Sequence, residues 1–456
     1  MDYYNGQQNN RPRQQGGRPV NRQGGSSQRT DVRGQRTGAP ARQANTARSQ
    51  QNGNVRRQQR TVPVKQAKPV KASDMQRPKL GSFVELLNPQ RFDFTMFLIV
   101  VILLAFGLVM LFSASYASAK EDYGDSFYYI NRQLVFAVAG FAAMIFVSFI
   151  DYRLYCQKFI VFLAIVVSVS LMVLVFVMGK TVGGAQRWLE IAGNTFQPSE
   201  ILKLATIIVI ADYMQRNYDK RDDFKEYFLP LAARIVISCG LVLIQPHLSC
   251  TVIIFITSYC MLAIGGSNFK HLALIAVAVA VGLFAIIKIF PMLGFDYVTD
   301  RLLSWQDPEA DIQNATYQTY QSLVTIGSGG MFGLGLGNSR QKYGYLPVTQ
   351  NDFIFSVICE ELGFIGAMLV ILLFIVFLFR GFYIASAAPD KFGMLLCSGI
   401  VIHLTVQAFL NIAVVTNAMP NTGVSLPFIS YGGTALLMQM AEMGIVLNIS
   451  RKAAMD

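Results

Sequence analysis

The sequence predicts an all-α polytopic membrane protein of about ten transmembrane helices, preceded by a disordered basic N-terminal tail. Three observations predict it. Of 456 residues, 53% are hydrophobic and only 14% charged, too apolar a balance for an ordinary soluble domain. From residue 94 onward, apolar runs recur near the 20 residues that span the roughly 30 Å hydrocarbon core as helix. The charge is also confined: residues 1–91 hold 18 Lys and Arg against 4 Asp and Glu, a net +14, and the remaining 21 against 23 give −2.

Asn, Gln, Arg, Gly and Pro dominate residues 1–91, which cannot bury enough apolar surface to offset the entropy of ordering. This segment reads as a cytoplasmic appendage. It does not read as a signal peptide, because its basic region is too long and no small-residue cleavage site follows the first apolar run. Ten apolar runs follow, at 94–115, 133–150, 158–179, 199–215, 228–245, 250–265, 271–290, 353–379, 393–415 and 431–449. Together they define a membrane domain over 92–452, with 453–456 as a short C-terminal end.

Short loops rich in Lys and Arg face the cytoplasm. With the tail inside, those loops carry Arg153, Lys158, Arg216, Lys220, Arg221, Lys225, Lys270, Arg380, Lys391, Arg451 and Lys452. The opposite side has fewer cations, mainly Lys120, Arg132, Lys180, Arg187, Arg301, Arg340 and Lys342, so both termini are expected in the cytoplasm. Segments 180–198, 291–352 and 416–430 then lie outside. Long loops of this kind carry function, which places the chemistry on the outer face. No internal repeat is visible, which weakens a transporter built from inverted repeats. Cys156, Cys239, Cys250, Cys260, Cys359 and Cys397 lie in or beside apolar segments without CxxC spacing and read as small core residues.

The most informative stretch runs from Gly333 to Gly366, where a glycine-rich loop, a basic and aromatic patch and Asp352 precede a long apolar run. Asp352 has two readings. It is an N-cap that satisfies free backbone N–H groups, or a general base that takes a proton from an attacking hydroxyl at the membrane surface. On a continuous helix Glu360 lies about 12 Å deeper, beyond the roughly 5 to 9.5 Å of paired catalytic carboxylates. Glu360 and Glu361 are therefore expected in interhelical hydrogen bonds or along a polar cavity.

The segment from Gly183 to Ala205 is the second. Arg187 and Trp188 suit a membrane interface where a cation meets phosphate, and Pro198 and Ser199 open a helix with Glu200 in its first turn. Glu200 and Lys203 form an ion pair on one helix face, or Lys203 holds a lipid phosphate; the spacing allows both. The run from Gly327 to Ser339 has no GK[ST] ending and follows no soluble strand, so it reads as close backbone packing and not a nucleotide loop. His247, His271 and His403 have no zinc-ligand spacing. Asn421 to Gly433, with Pro427 and the Gly432–Gly433 pair, breaks helical structure at membrane depth and suggests a groove.

In combination these segments resemble the SEDS family (shape, elongation, division and sporulation) of ten-helix bacterial membrane proteins. The motifs are AQRWLEI with FQPSEILK, the Gln245–Pro246 pair, GNSRQKYGYLP with NDFIFSVICEELG, and SLPFISYGG with a closing NISR, across residues 92 to 452. The wording is closest to the FtsW and sporulation branch. The resemblance implies a peptidoglycan glycosyltransferase that polymerises lipid II on the outer face of the plasma membrane, alongside a class B penicillin-binding protein and other division proteins. It places the essential acid on Asp352 and substrate contacts on Arg187, Glu200, Lys203 and Ser430. The family commonly has an acid where Val348 stands, His–Thr where Gln350 and Asn351 stand, and an acid and a glycine where His247 and Ser249 stand.

Transfer from a lipid pyrophosphate already has a good leaving group, so one base and several cations suffice. Asp352 supplies the base; Arg187, Lys203, Arg340 and Lys342 are the cations. A divalent cation, Mg or Mn, is the one cofactor that chemistry would use. Two alternatives stand beside the enzyme: a lipid II flippase working through Glu360 and Glu361, and a division scaffold without catalysis. The basic tail is expected against anionic membrane lipid, with no nucleic-acid partner.

Overall fold

The computed structural model describes residues 92–453 except 183–184, 192–193, 246, 290–304 and 314–315. The tail 1–91, Arg301 and the chain end 454–456 lie outside the described residues. All ten apolar runs form helices: α1 Phe94–Tyr123, α2 Tyr128–Phe149, α3 Lys158–Met178, α4 Pro198–Arg216, α5 Leu229–Leu243, α6 Leu248–Ile264, α7 Phe269–Ile289, α9 Ile354–Ser386, α10 Lys391–Val415 and α11 Gly433–Lys452. An eleventh helix, α8 Tyr317–Ser328, lies within the long 291–352 connection.

Among the described residues, six helical stretches are long and apolar enough to cross a membrane: α1, α2, α3, α9, α10, and α5 with the π-helical turn Phe224–Phe228 before it. α4 and α11 fall short in hydropathy because they carry Glu200, Lys203, Asp212 and Gln439, Glu442, Asn448, all of them buried. Polar groups on a membrane helix are tolerated where neighbouring helices supply partners. α10 forms the centre: it packs on α4, α6, α9 and α11, and 83% of its apolar window is buried. α11 lies along α2.

The largest departures from the apolar runs are at the C-terminal ends of α1 and α9. α1 continues about two turns past residue 115 and stops at Gly124, which closes the helix in a left-handed conformation (φ 72°). Helix propagation needs backbone bonds and not apolar side chains, so polar residues carry it beyond the hydrophobic stretch. α9 begins at Ile354, extends to Ser386 and is broken at Gly363 (φ 68°, ψ −168°).

Connections gather at two ends of the bundle. At one end Tyr152 and Arg153 bind Asp390, Arg380 binds Asp93, and Lys452 pairs with Asp151. At the other lie the described residues of 180–197, 245–249, 305–353 and 416–432. Here stands a feature the apolar pattern did not reveal, an antiparallel sheet in the order β1 Lys180–Val182, β2 Ala185–Ile191, β3 Asn194–Phe196. Leu189 faces Phe196 across β2 and β3, and Lys180 ion-pairs with Glu190.

Candidate active site

Asp352 sits in the turn that precedes α9, and that turn is tied down residue by residue. Thr349 donates its hydroxyl to the Ala114 carbonyl of α1 (3.1 Å), and the Gln350 carbonyl accepts the Tyr431 N–H (2.8 Å). The Asn351 carbonyl accepts the Ser430 hydroxyl (2.6 Å), and the Asp352 carbonyl accepts Asn411 Nδ2 of α10 (2.7 Å). Four consecutive residues are thus fixed by α1, α10 and the segment before α11. Local capping does not do this work: the cap position of α9 belongs to Phe353, which makes no side-chain capping bond. The cap position thus falls one residue beyond Asp352, and tertiary contacts order the turn that carries the acid. The carboxylate is half-buried, and a Cβ on Gly423 would stand 3.1 Å from its Oδ2. Gly423 has φ +66°, so an L side chain there would both strain the backbone and crowd the acid.

Asn411 also donates to the Val424 carbonyl, and Gln407, one turn earlier on the same face of α10, donates to the Ser425 carbonyl (3.1 Å). Gln407 in turn accepts from Lys203 Nζ (2.8 Å), which ion-pairs with Glu200 at 2.9 Å. A polar chain from Glu200 through Lys203, Gln407 and Asn411 thereby reaches Asp352 through side chains and the backbone of 424–425. The sequence reading missed Gln407 and Asn411. Their signal was available, as two carboxamides at i and i+4 inside the apolar run 393–415.

Of the two readings of Lys203, the ion pair is the one present, and Lys203 is only 4% exposed. Arg187 on β2 is half-buried and donates Nε to the Gln245 carbonyl (3.2 Å). His247 lies within 3.4 Å of Gln197, and Ser249 donates to the Thr422 carbonyl (2.5 Å), which joins this corner to the 416–430 segment. Burial pushes the His247 pKa down to about 3, and the cations of Arg187 and Lys203 push the same way.

Ser430 is not open to a substrate: its hydroxyl donates to Asn351 and accepts the Leu426 N–H (2.8 Å), so it braces the Asp352 turn. Lys342 is corrected likewise. Its ammonium is 3% exposed and lies 3.0 Å from Glu361, itself fully buried, so its charge is compensated inside the protein. Ser113 of α1 and the Ser339 N–H complete the Glu361 site, while Glu360 accepts from the Ser339 hydroxyl and the Arg340 N–H. Only Arg340 of this pair of cations keeps an exposed side chain.

The glycine run supplies the close approach expected of it. Leu334 and Gly335 donate to the carbonyls of Glu360 and Glu361, and Phe364 and Ile365 return bonds to Gly330 and Met331. A Cβ at Gly333 (φ +78°) would meet the Glu361 carbonyl oxygen at 2.1 Å. The break in α9 at Gly363 frees the backbone groups that the loop then satisfies. Glu360 and Glu361 therefore sit beside an interruption and not along a continuous helix.

Among the described residues no three His, Cys, Asp or Glu side chains gather into a metal-ligating group.

A family model described as "Cell cycle protein", for FtsW, RodA and SpoVE, matches residues 94–455, and the chain belongs to that family. It is 38% identical to Stage V sporulation protein E of Bacillus subtilis over 363 residues, 79% of this chain and 97% of that one. It is 35% identical to the probable peptidoglycan glycosyltransferase FtsW of Geobacter sulfurreducens over 364 residues, 80% and 96% of the two chains. Among solved structures, a chain of a peptidoglycan synthase complex that coordinates polymerization and crosslinking aligns with TM-score 0.66 and 27% identity, over 80% of this chain and 99% of that one. The rod shape determining protein RodA of Thermus thermophilus aligns with TM-score 0.58 and 26% identity, over 80% and 98%.

Proposed function

We propose that this protein is a peptidoglycan glycosyltransferase that polymerises lipid II into glycan strands, with Asp352 as general base. The observation that carries the reading is the turn around Asp352, in which three separate elements hold four successive residues while the acid remains half-buried at a bundle end. Rigid placement is what a base needs, because general-base catalysis requires the acid within hydrogen-bond reach of one particular hydroxyl. Asp352 takes the proton of the acceptor hydroxyl, the oxygen bonds to the anomeric carbon of the donor sugar, and the bond to pyrophosphate breaks. Undecaprenyl pyrophosphate leaves with the electron pair. Arg340 and Arg187 are the cations assigned to the developing phosphate charge. Glu200, Lys203, Gln407 and Asn411 are positioning residues that act on Asp352 through the 424–425 backbone.

In this reading the Asp352 end faces the outside of the plasma membrane and both termini are cytoplasmic, a topology supported by the distribution of loop cations. A class B penicillin-binding protein is the partner, supported by the likeness to a chain of a synthase complex that joins polymerization to crosslinking. Division or sporulation is the process served, following the nearest wording of the motifs. Nothing favours the flippase alternative, since the carboxylates of Glu360 and Glu361 are buried and bonded within the fold.

The test is polymerisation of lipid II by purified Asp352→Asn protein, with and without the candidate partner. The rate is expected to fall by about 10²-fold or more, with the unfolding temperature unchanged. Polymer formation at the wild-type rate would overturn the assignment.

A further inference from the structure

A cleft of about 490 Å³ opens on the side of the bundle between α1, α2 and the turn at 336–343. Its walls include Val109 and Phe112 of α1, Ile130 and Leu134 of α2, and Leu336. Val109 and Leu134 are 50% and 43% exposed on helices long and apolar enough to cross a membrane, and Leu336 of the adjoining turn is 54% exposed, so the mouth opens toward lipid and not water. The proposed chemistry does not use this space.

Three features define what it takes. The first is position. Ser113 lines the back of the cleft, and the next residue, Ala114, accepts the Thr349 hydroxyl of the Asp352 turn. An apolar chain lying in the cleft would therefore run from the bilayer to a point beneath that turn. The second is charge. Lys342 also lines the back, but its ammonium is paired with Glu361, so the wall is polar yet neutral and offers no counter-charge to a lipid headgroup. The third is size. The volume falls in the about 300–1,000 Å³ range of small-molecule sites, and Tyr116 and Tyr343 are among the lining residues.

We infer that this cleft binds the isoprenoid tail of the lipid-linked sugar, holding the units next to the pyrophosphate while the sugar lies at Asp352. The inference rests on the glycosyltransferase reading for the identity of the ligand. Its consequence is that the protein grips the lipid beside the reacting end, so the anomeric carbon is presented at a fixed depth.

The test uses the full chain in nanodiscs of phosphatidylethanolamine and phosphatidylglycerol, with a polyprenyl phosphate that carries a diazirine on its head-proximal isoprene. After irradiation, labelled peptides are mapped by mass spectrometry. Labels are expected on the α1 segment containing Val109 and Phe112 and the α2 segment containing Ile130 and Leu134. Excess undecaprenyl phosphate should remove them, and the same excess of phosphatidylglycerol should not. Leu134→Trp, which fills the cleft, should abolish labelling, whereas Val135→Trp on the neighbouring lipid-facing position (68% exposed) should leave it intact. Labels spread evenly over lipid-facing positions, or displaced equally by phosphatidylglycerol, would reduce the cleft to ordinary bilayer contact and overturn the proposal. Labelling needs no turnover, so it is also read on Asp352→Asn: normal polymerisation by that variant defeats the catalytic reading alone, and absent labelling on an inactive variant defeats the cleft alone.

Discussion

Asp352 and the pair Glu360–Glu361 lie less than three helical turns apart in sequence, and the fold treats them in opposite ways. At Asp352 the backbone is held by other groups: its carbonyl, and the residues on its N-terminal side, are bonded to α1, α10 and the 424–431 segment. At Glu360 and Glu361 the carboxylates themselves do the holding, gathering Ser113, Ser339, Arg340 and Lys342 around the break in α9. The exposures follow: Glu360 is 1% and Glu361 0% exposed, while Asp352 is half-buried. The two sites thus differ in depth and in what the fold builds around them: a buried cluster centred on the carboxylates at Glu360 and Glu361, and a main chain pinned by three elements at Asp352.

The comparison breaks most visibly in activity. Asp352→Asn should lose about 10²- to 10⁴-fold in polymerisation rate with an unchanged thermal melt, and Glu361→Ala should do the reverse in kind. That change leaves the Lys342 ammonium buried without its counter-ion, at a cost of about 3–5 kcal/mol in unfolding free energy. Replacing both partners, Glu361→Leu with Lys342→Met, should recover most of that loss. If Glu361→Ala melts like the wild type while the rate collapses, the structural assignment of Glu361 is wrong.

A smaller effect tests the bracing of the Asp352 turn. Asn411→Ala removes a donor shared by two buried carbonyls and should cost about 1–3 kcal/mol, with kcat falling more than KM rises as the base loses its placement. Gly423→Ala sharpens the same point, since it adds a left-handed strain of about 1–2 kcal/mol and pushes on the Asp352 carboxylate. An Asn411→Ala enzyme with wild-type kcat would remove Asn411 from the positioning role.

The smallest expected effect concerns His247, at the edge of the same end. Its folded pKa is depressed from 6.5 to about 3, so between those values the unfolded chain binds more protons than the folded one. The associated stability is present above pH 6.5 and is lost as the pH falls toward 3. A chemical-denaturation series across that window should show a shallower decline in His247→Gln than in the parent, and parallel curves would reject the buried neutral imidazole.

Much of this was legible in the chain. Gly333 to Gly366 announced a polar, glycine-rich approach to a membrane helix, and the glycines packed backbone to backbone as their lack of a Cβ allows. Helices α4 and α11 were legible as the apolar runs 199–215 and 431–449 in spite of the buried Glu200, Lys203 and Glu442. The sheet at 180–196 could not be read, since its strands are three to seven residues long and carry little alternation. The fates of Lys342 and Ser430 were equally hidden. Residue type makes both plausible phosphate or sugar contacts, and only the positions of Glu361 and Asn351 commit them elsewhere.

The sequence by itself determined the ten helical runs and the confinement of net charge to the tail, and it singled out Asp352 as a candidate, because those follow from local composition, the length needed to span a bilayer and motifs contiguous in the chain. Tertiary structure alone decided which polar groups are consumed by one another. Lys203 meets Gln407 across 204 residues, and Ser113 meets Glu361 across 248. In an apolar medium a polar side chain takes whichever partner the bundle brings within hydrogen-bond reach, and sequence separation carries no information about that distance.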